Sequence, residues 1–112
     1  MINYTTPTLH LTVEDMDITD HEVYVSLEQG RTEVTKTGSD LSMTAETEQG
    51  HTNTYIDVML TQEESASFNW GRPCDVQVNW ITASDIRAAT FIETIPVMRN
   101  LMDKVVHYGD ST

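Results

Sequence analysis

The 112 residues contain a single cysteine, Cys74. One thiol excludes an internal disulfide framework and fits a reducing compartment. Basic side chains are also scarce, with six Lys and Arg against 18 Asp and Glu, for a formal net charge of −12. Phosphate backbones are held by clustered Lys and Arg, so nucleic acid is not an expected partner. The same deficit argues against an anionic membrane surface. No apolar run approaches the roughly 20 residues of a membrane span. Met1 to Leu11 has neither a basic nor an apolar stretch of signal-peptide kind, so no leader is expected. Leu, Ile, Val and Phe number 25 of 112. That share lies just above the roughly 20% below which high charge means disorder. A single folded domain with a modest core is therefore expected.

Threonine is abundant, at 17 residues, and a β-branched side chain suits a pleated, half-wet surface. Apolar residues alternate with polar ones in several short runs. Leu9, Leu11 and Val13 form one such set; Val23, Val25 and Leu27 a second; Leu41, Met43 and Ala45 a third. Ile56, Val58 and Leu60 follow, then Val76, Val78 and Trp80. A period of two places one parity on a core and the other in water. A weaker strand is expected at Thr32 to Lys36. The stretch from Ile86 to Ile95 is apolar on both parities, which suggests a central strand or one whose outer face meets something else. Gln29-Gly30, Thr37-Gly38-Ser39-Asp40, Gln49-Gly50 and Ala83-Ser84-Asp85 punctuate these runs as turns. The gaps are too short for crossover helices, so the strands are antiparallel. About seven strands at this spacing make a mainly β chain, a sandwich or small barrel. Thr61-Gln62-Glu63-Glu64 reads as a capping box opening a short helical turn near 62–67. After Pro96, helix-spaced apolar residues predict either a C-terminal helix over 97–107 or an extended tail. The expected division is a β-sandwich at 1–96 and a tail at 97–112.

No constellation of catalytic type is legible. No serine sits in Gly-x-Ser-x-Gly, no glycine loop is of phosphate-cradling kind, and Cys74 has no CxxC partner. Cys74 is expected as a small buried side chain at a strand start. His10, His21, His51 and His107 stand at no metal-ligand spacing. Asp15, Asp17 and Asp20 are the only weak metal candidates. Hard cations want several carboxylates on a bent loop, but Met16 and Ile18 interrupt the run and no glycine supplies a sharp turn. Neither an enzyme nor a cofactor is expected. Trp70, Trp80 and the acidic loop define an alternative, a carbohydrate- or small-ligand-binding sandwich.

Thr6-Pro7-Thr8-Leu9-His10-Leu11-Thr12 and Leu60-Thr61-Gln62-Glu63-Glu64-Ser65 are followed by Phe68 and then by Val76-Gln77-Val78-Asn79-Trp80. In order and spacing these segments are similar to a family of small prophage-encoded proteins of Gram-positive bacteria. Ile86-Arg87-Ala88-Ala89-Thr90 stands where that family begins its last strand, and the likeness covers most of residues 6 to 97. It implies an immunoglobulin-like β-sandwich and a phage structural or virion-associated role with no catalytic residues. Other phage structural proteins, or a second copy of the chain, are then the expected partners. The protein would lie in the bacterial cytoplasm when expressed from a prophage and in the virion once assembled. The departures are Met1 to Thr5 and the apolar tail beyond Val97.

The last strand and tail carry more apolar surface than one small core needs. Phe91, Ile95, Val97, Met98, Leu101, Met102 and Val105 are therefore the expected interface, most simply of a two-fold dimer. The competing expectation is a tail folded back over its own sandwich.

Overall fold

The computed structural model describes residues 1–109; the end of the expected tail, 110–112, lies outside them. Among the described residues eight strands form: β1 (Thr8–Val13), β2 (Glu22–Gln29), β3 (Thr32–Thr37), β4 (Leu41–Glu48), β5 (His51–Met59), β6 (Cys74–Ile81), β7 (Arg87–Ala89) and β8 (Glu93–Ile95). They make two antiparallel sheets. One has the order β1-β5-β4; the other runs β3-β2-β6-β7, with β8 also on β6. The fold is mainly β and sandwich-like, as the alternation predicts. The expected seventh strand arrives as two pieces, β7 and β8.

Inward residues of both sheets share one core: Leu9, Val13, Ile56 and Val58 from the smaller sheet, and Val23, Val25, Leu27, Val76, Val78 and Trp80 from the larger. Leu11 is only half-buried, because β1 is an edge strand and Leu11 opens onto a groove described below. The third alternating set is shallower still. Leu41 and Met43 are half-buried and Ala45 is exposed: β4 is an edge strand, and all its residues from Thr44 to the turn lie in solvent. Its tip closes with Gln49 and Gly50, both at positive φ (51° and 81°), the left-handed pair that matches strand twist in a two-residue hairpin.

Helix α1 (Gln62–Ala66) opens on the expected capping box. Thr61 Oγ1 accepts from Glu64 N–H at 3.1 Å, and Glu64 Oε1 accepts from Thr61 N–H at 2.9 Å. Glu64 also receives the Lys36 ammonium of β3 at 2.6 Å. Ser65 is buried and donates to Thr5 O at 2.6 Å while accepting from Thr5 N–H at 3.0 Å. Together these bonds tie the helical turn to both the second sheet and the N-terminal segment.

The C-terminal helix over 97–107 does not form. The tail is irregular through residue 109. Its backbone groups go to tertiary partners instead of to their own i−4 neighbours. Met98 N–H donates to Met1 O at 2.7 Å, and Met98 O accepts from Asn3 N–H at 3.1 Å. Val97 O takes Gly71 N–H at 2.9 Å. Asn100 N–H donates to Asn3 Oδ1 at 3.1 Å, and Val106 N–H to Gln62 Oε1 at 3.0 Å. A helix of about ten residues is marginal in water on its own, and these bonds outcompete it. Val97, 3% exposed, joins the core, so the tail folds back on its own domain.

Candidate functional site

The sandwich closes unequally along one side, and the last strand is the cause. Ahead of the break, Asn79 stands opposite Ala89; after it, Val76 stands opposite Glu93. Thr90 N–H donates to Val78 O at 2.9 Å. Between these points β6 has one residue, Gln77, and the last strand has two, Phe91 and Ile92. Two residues against one is a β-bulge. Side chains replace the bonds it breaks. Thr90 Oγ1 accepts from Val78 N–H at 3.1 Å, and Gln77 Nε2 donates to Thr90 O at 2.9 Å. The bulge also reverses side-chain parity. Ala88 stands opposite buried Trp80 before it, whereas Glu93 and Ile95 stand opposite Val76 and Cys74 after it. Phe91 is left 94% exposed, and Ile92 is exposed beside it. The two apolar parities read from the sequence are thus a bulge, not a strand buried on both faces.

Across from this bulge runs β1, the edge of the smaller sheet. Leu60 N–H donates to Pro7 O at 2.9 Å. Hydrogen-bonded positions alternate along an antiparallel pair. Leu9, Leu11 and Val13 therefore turn their backbone groups toward β5, while Thr8, His10 and Thr12 turn theirs to the opposite side. Among the described residues no strand pairs there.

Between the two edges lies a groove of about 620 Å³. Val76, Val78 and Trp80 form its floor, and Leu11, Met16 and Phe91 flank it. Glu14, Asp15 and Glu93 line its rims, and no Lys or Arg does so. That volume falls within the roughly 300–1,000 Å³ of ordinary ligand clefts.

The acidic loop before β2 is held more firmly than its composition suggests. Ile18 is fully buried; its N–H donates to Thr54 Oγ1 at 3.0 Å, and that hydroxyl donates to Met16 O at 2.7 Å. Asp15 Oδ1 lies 3.0 Å from His51 Nδ1. Asp17 Oδ1 accepts from the hydroxyl and N–H of Thr19 at 2.6 and 3.0 Å; the hydroxyl bond, foremost, holds its carboxyl below the usual range. Asp20 lies beside His21. The three carboxylates face different partners. No group of three or more His, Cys, Asp or Glu among the described residues is placed to hold a metal.

Cys74 is fully buried as the first residue of β6, and burial above all pushes its thiol up to about 11. Such a thiol is inert as a nucleophile at neutral pH. Trp70 and Trp80 are not brought together: Trp80 sits under the groove, while Trp70 carries the Arg99 guanidinium 5.4 Å from its ring centroid. Of the expected interface, Phe91 flanks the groove, Ile95 is half-buried and Val97 lies in the core. Met98, Leu101, Met102 and Val105 are exposed along the tail.

Sequence reasoning missed Gln77 and Thr90, the two polar residues that build the bulge. The only signal was the doubled apolar parity around them. It also missed Gln29, whose buried amide bonds the backbone of Asn69 and Arg72 at 2.6–3.0 Å and fixes the loop after α1. Compared with family models, curated proteins and solved structures, the chain matches none. No helix among the described residues is long and apolar enough to cross a membrane.

Proposed function

We propose that this chain is a non-enzymatic structural or virion-associated protein of phage or prophage type, working as a protein–protein interaction module on an immunoglobulin-like sandwich. The supporting observation is the bulge. Thr90 and Gln77 bond across the strand just before Phe91, and pairing with β6 resumes at Glu93 just after Ile92, so the exposed pair is held between two paired points and is not a frayed end. Bulges re-aim side chains, and a large aromatic held in water beside a groove with a buried apolar floor and acidic rims is the composition of a contact surface. The phage assignment rests on the segments Thr6–Thr12, Leu60–Ser65 and Val76–Trp80 alone. Its partners are the other structural proteins of a particle, or a second copy of the chain. It resides in the cytoplasm before assembly and in the particle after it.

The test is an immunoblot of particles purified by density gradient from cells that carry and express the gene. The chain is expected to sediment with the particles and to leave them when Phe91→Asp and Ile92→Asp are combined. A chain that stays wholly in the soluble fraction after lysis would overturn the assignment.

One observation favours a second reading, a small-ligand or carbohydrate site: Trp80 and Asp15 line the same groove. Trp80 is only 6% exposed and so presents little face for a sugar to stack on. A rise in Tm with a neutral oligosaccharide, worth about 2.7 kcal/mol at a hundredfold excess over Kd, is the result that would favour it.

A further inference from the structure

We propose that the groove between β1 and the bulged last strand seats one extended strand from a partner protein, with alternating apolar residues flanked by Lys or Arg. This rests on the interaction-module reading and specifies its occupant. The seat lies at the edge of the smaller sheet: among the described residues three strands face five, and of its two edge strands β1 is the one that borders the groove. Thr8, His10 and Thr12 aim their N–H and C=O groups into it, which is the main-chain ladder that strand addition uses. Six residues of β1 at about 3.3 Å each define a contact of roughly 20 Å, a segment of about six residues.

The two edges of the groove are treated differently. The last strand carries the bulge and, after it, Glu93 on the inward parity opposite Val76. Bulges and inward-pointing charges are the devices that stop an edge from pairing. β1, with the sequence Thr-Leu-His-Leu-Thr-Val, has no proline, lysine or bulge. Pairing is therefore blocked on one wall and open on the other. A strand added to β1 lays alternate side chains over Val78 and Trp80, with Leu11, Met16 and Phe91 at its flanks.

Charge selects among occupants. Glu14, Asp15 and Glu93 line the rims with no Lys or Arg. A second copy brings its own net charge of −12 and would set acid against acid, which is how wrong partners are suppressed. A basic-flanked strand meets complementary charge at both ends.

The probe is a synthetic peptide, Lys-Lys-Val-Thr-Val-Thr-Val-Thr-Lys-Lys, titrated into the ¹⁵N-labelled full-length chain. A twin peptide carries Glu in place of every Lys. The basic peptide is expected to shift amides in Thr8–Val13 and around Phe91, and to slow hydrogen exchange at Thr8, His10 and Thr12. The acidic twin is expected to bind at least tenfold more weakly. Glu14→Lys combined with Glu93→Lys should reverse that preference. Thr12→Pro removes an outward donor without touching the β1–β5 ladder and should weaken the basic peptide at least tenfold. Should that variant misfold, the charge reversal still decides, since both its sites are exposed.

Shifts confined to the edges of β3 or β4, or no shift at β1 at millimolar peptide, would overturn the proposal. So would a concentration-dependent dimer whose β1 amides are protected without peptide, which would make the occupant a second copy. A chain that sediments with particles yet ignores the peptide loses the strand seat and keeps the proposed function. A chain that binds the peptide but never joins a particle does the reverse.

Discussion

Lys36 is the residue whose environment departs furthest from its type. It is 8% exposed, and its ammonium reaches Glu64 at 2.6 Å. Partial burial pushes the Glu64 carboxyl up, but the hydrogen bonds from Lys36 and Thr61 outweigh it and hold the group below its usual 4.5. A depressed folded value contributes stability that is fully present above pH 4.5 and lost as pH falls through the folded value. Acid unfolding of the wild type should therefore show a component below pH 4.5 that Glu64→Gln removes, measured by circular dichroism against pH. Lys36→Met leaves a half-buried carboxylate with only its capping bonds and should cost about 1–3 kcal/mol in urea denaturation at pH 7. Glu64 was legible as a capping residue, but its pairing with Lys36 was not. A lysine on an outward-looking weak strand carries no mark of burial until α1 lands on it. Val78 was legible, and Val78→Ala is expected to cost about 1–3 kcal/mol through lost methyls and a partial cavity.

Elements set by local rules formed as read. The capping box produced α1 because Thr61 and Glu64 satisfy each other's backbone within four residues. The alternating runs became β1, β2, β5 and β6 because a period of two leaves only one face for the core. The last strand needed more than its own sequence. Its bulge forms because Val78 N–H finds a threonine hydroxyl and Thr90 O finds a glutamine amide across the strand. Thr90→Val keeps shape and removes that hydroxyl. It should cost about 1–3 kcal/mol, the penalty of an orphaned donor, and hydrogen exchange should accelerate first at the Val78 amide. Unchanged exchange there would show that water replaces the hydroxyl and that the bulge does not depend on Thr90.

At the scale of the whole molecule, the two ends of the chain hold each other. The Met1 ammonium donates to Pro96 O at 2.9 Å, Ile2 bridges Met98 in parallel, and Asn100 Nδ2 donates to Asn3 O at 3.1 Å. Removal of residues 97–112 is therefore expected to destabilise the fold and not merely to trim it. The loss of Val97 from the core is worth about 1.5–3 kcal/mol by itself, with the N-terminal bonds in addition. A truncated chain whose urea midpoint matches that of the full chain would contradict this.

The amino-acid sequence by itself determined the mainly β class, the antiparallel pairing, the capped turn and most of the core. Each follows from contacts within a few residues or from a parity that burial enforces. It also set the formal net charge of −12. Tertiary structure alone decided the fate of residues 97–107, where bonds to Met1, Asn3, Gln62 and Gly71 displaced a helix whose apolar spacing was genuine. It alone placed Ile18 in the core and left Leu11 at its margin. The groove, too, was decided there. Its two sets of lining residues lie 60 or more positions apart in the chain, from Met16 to Val76, and an unpaired edge is a property of what fails to arrive beside a strand, which no local pattern encodes.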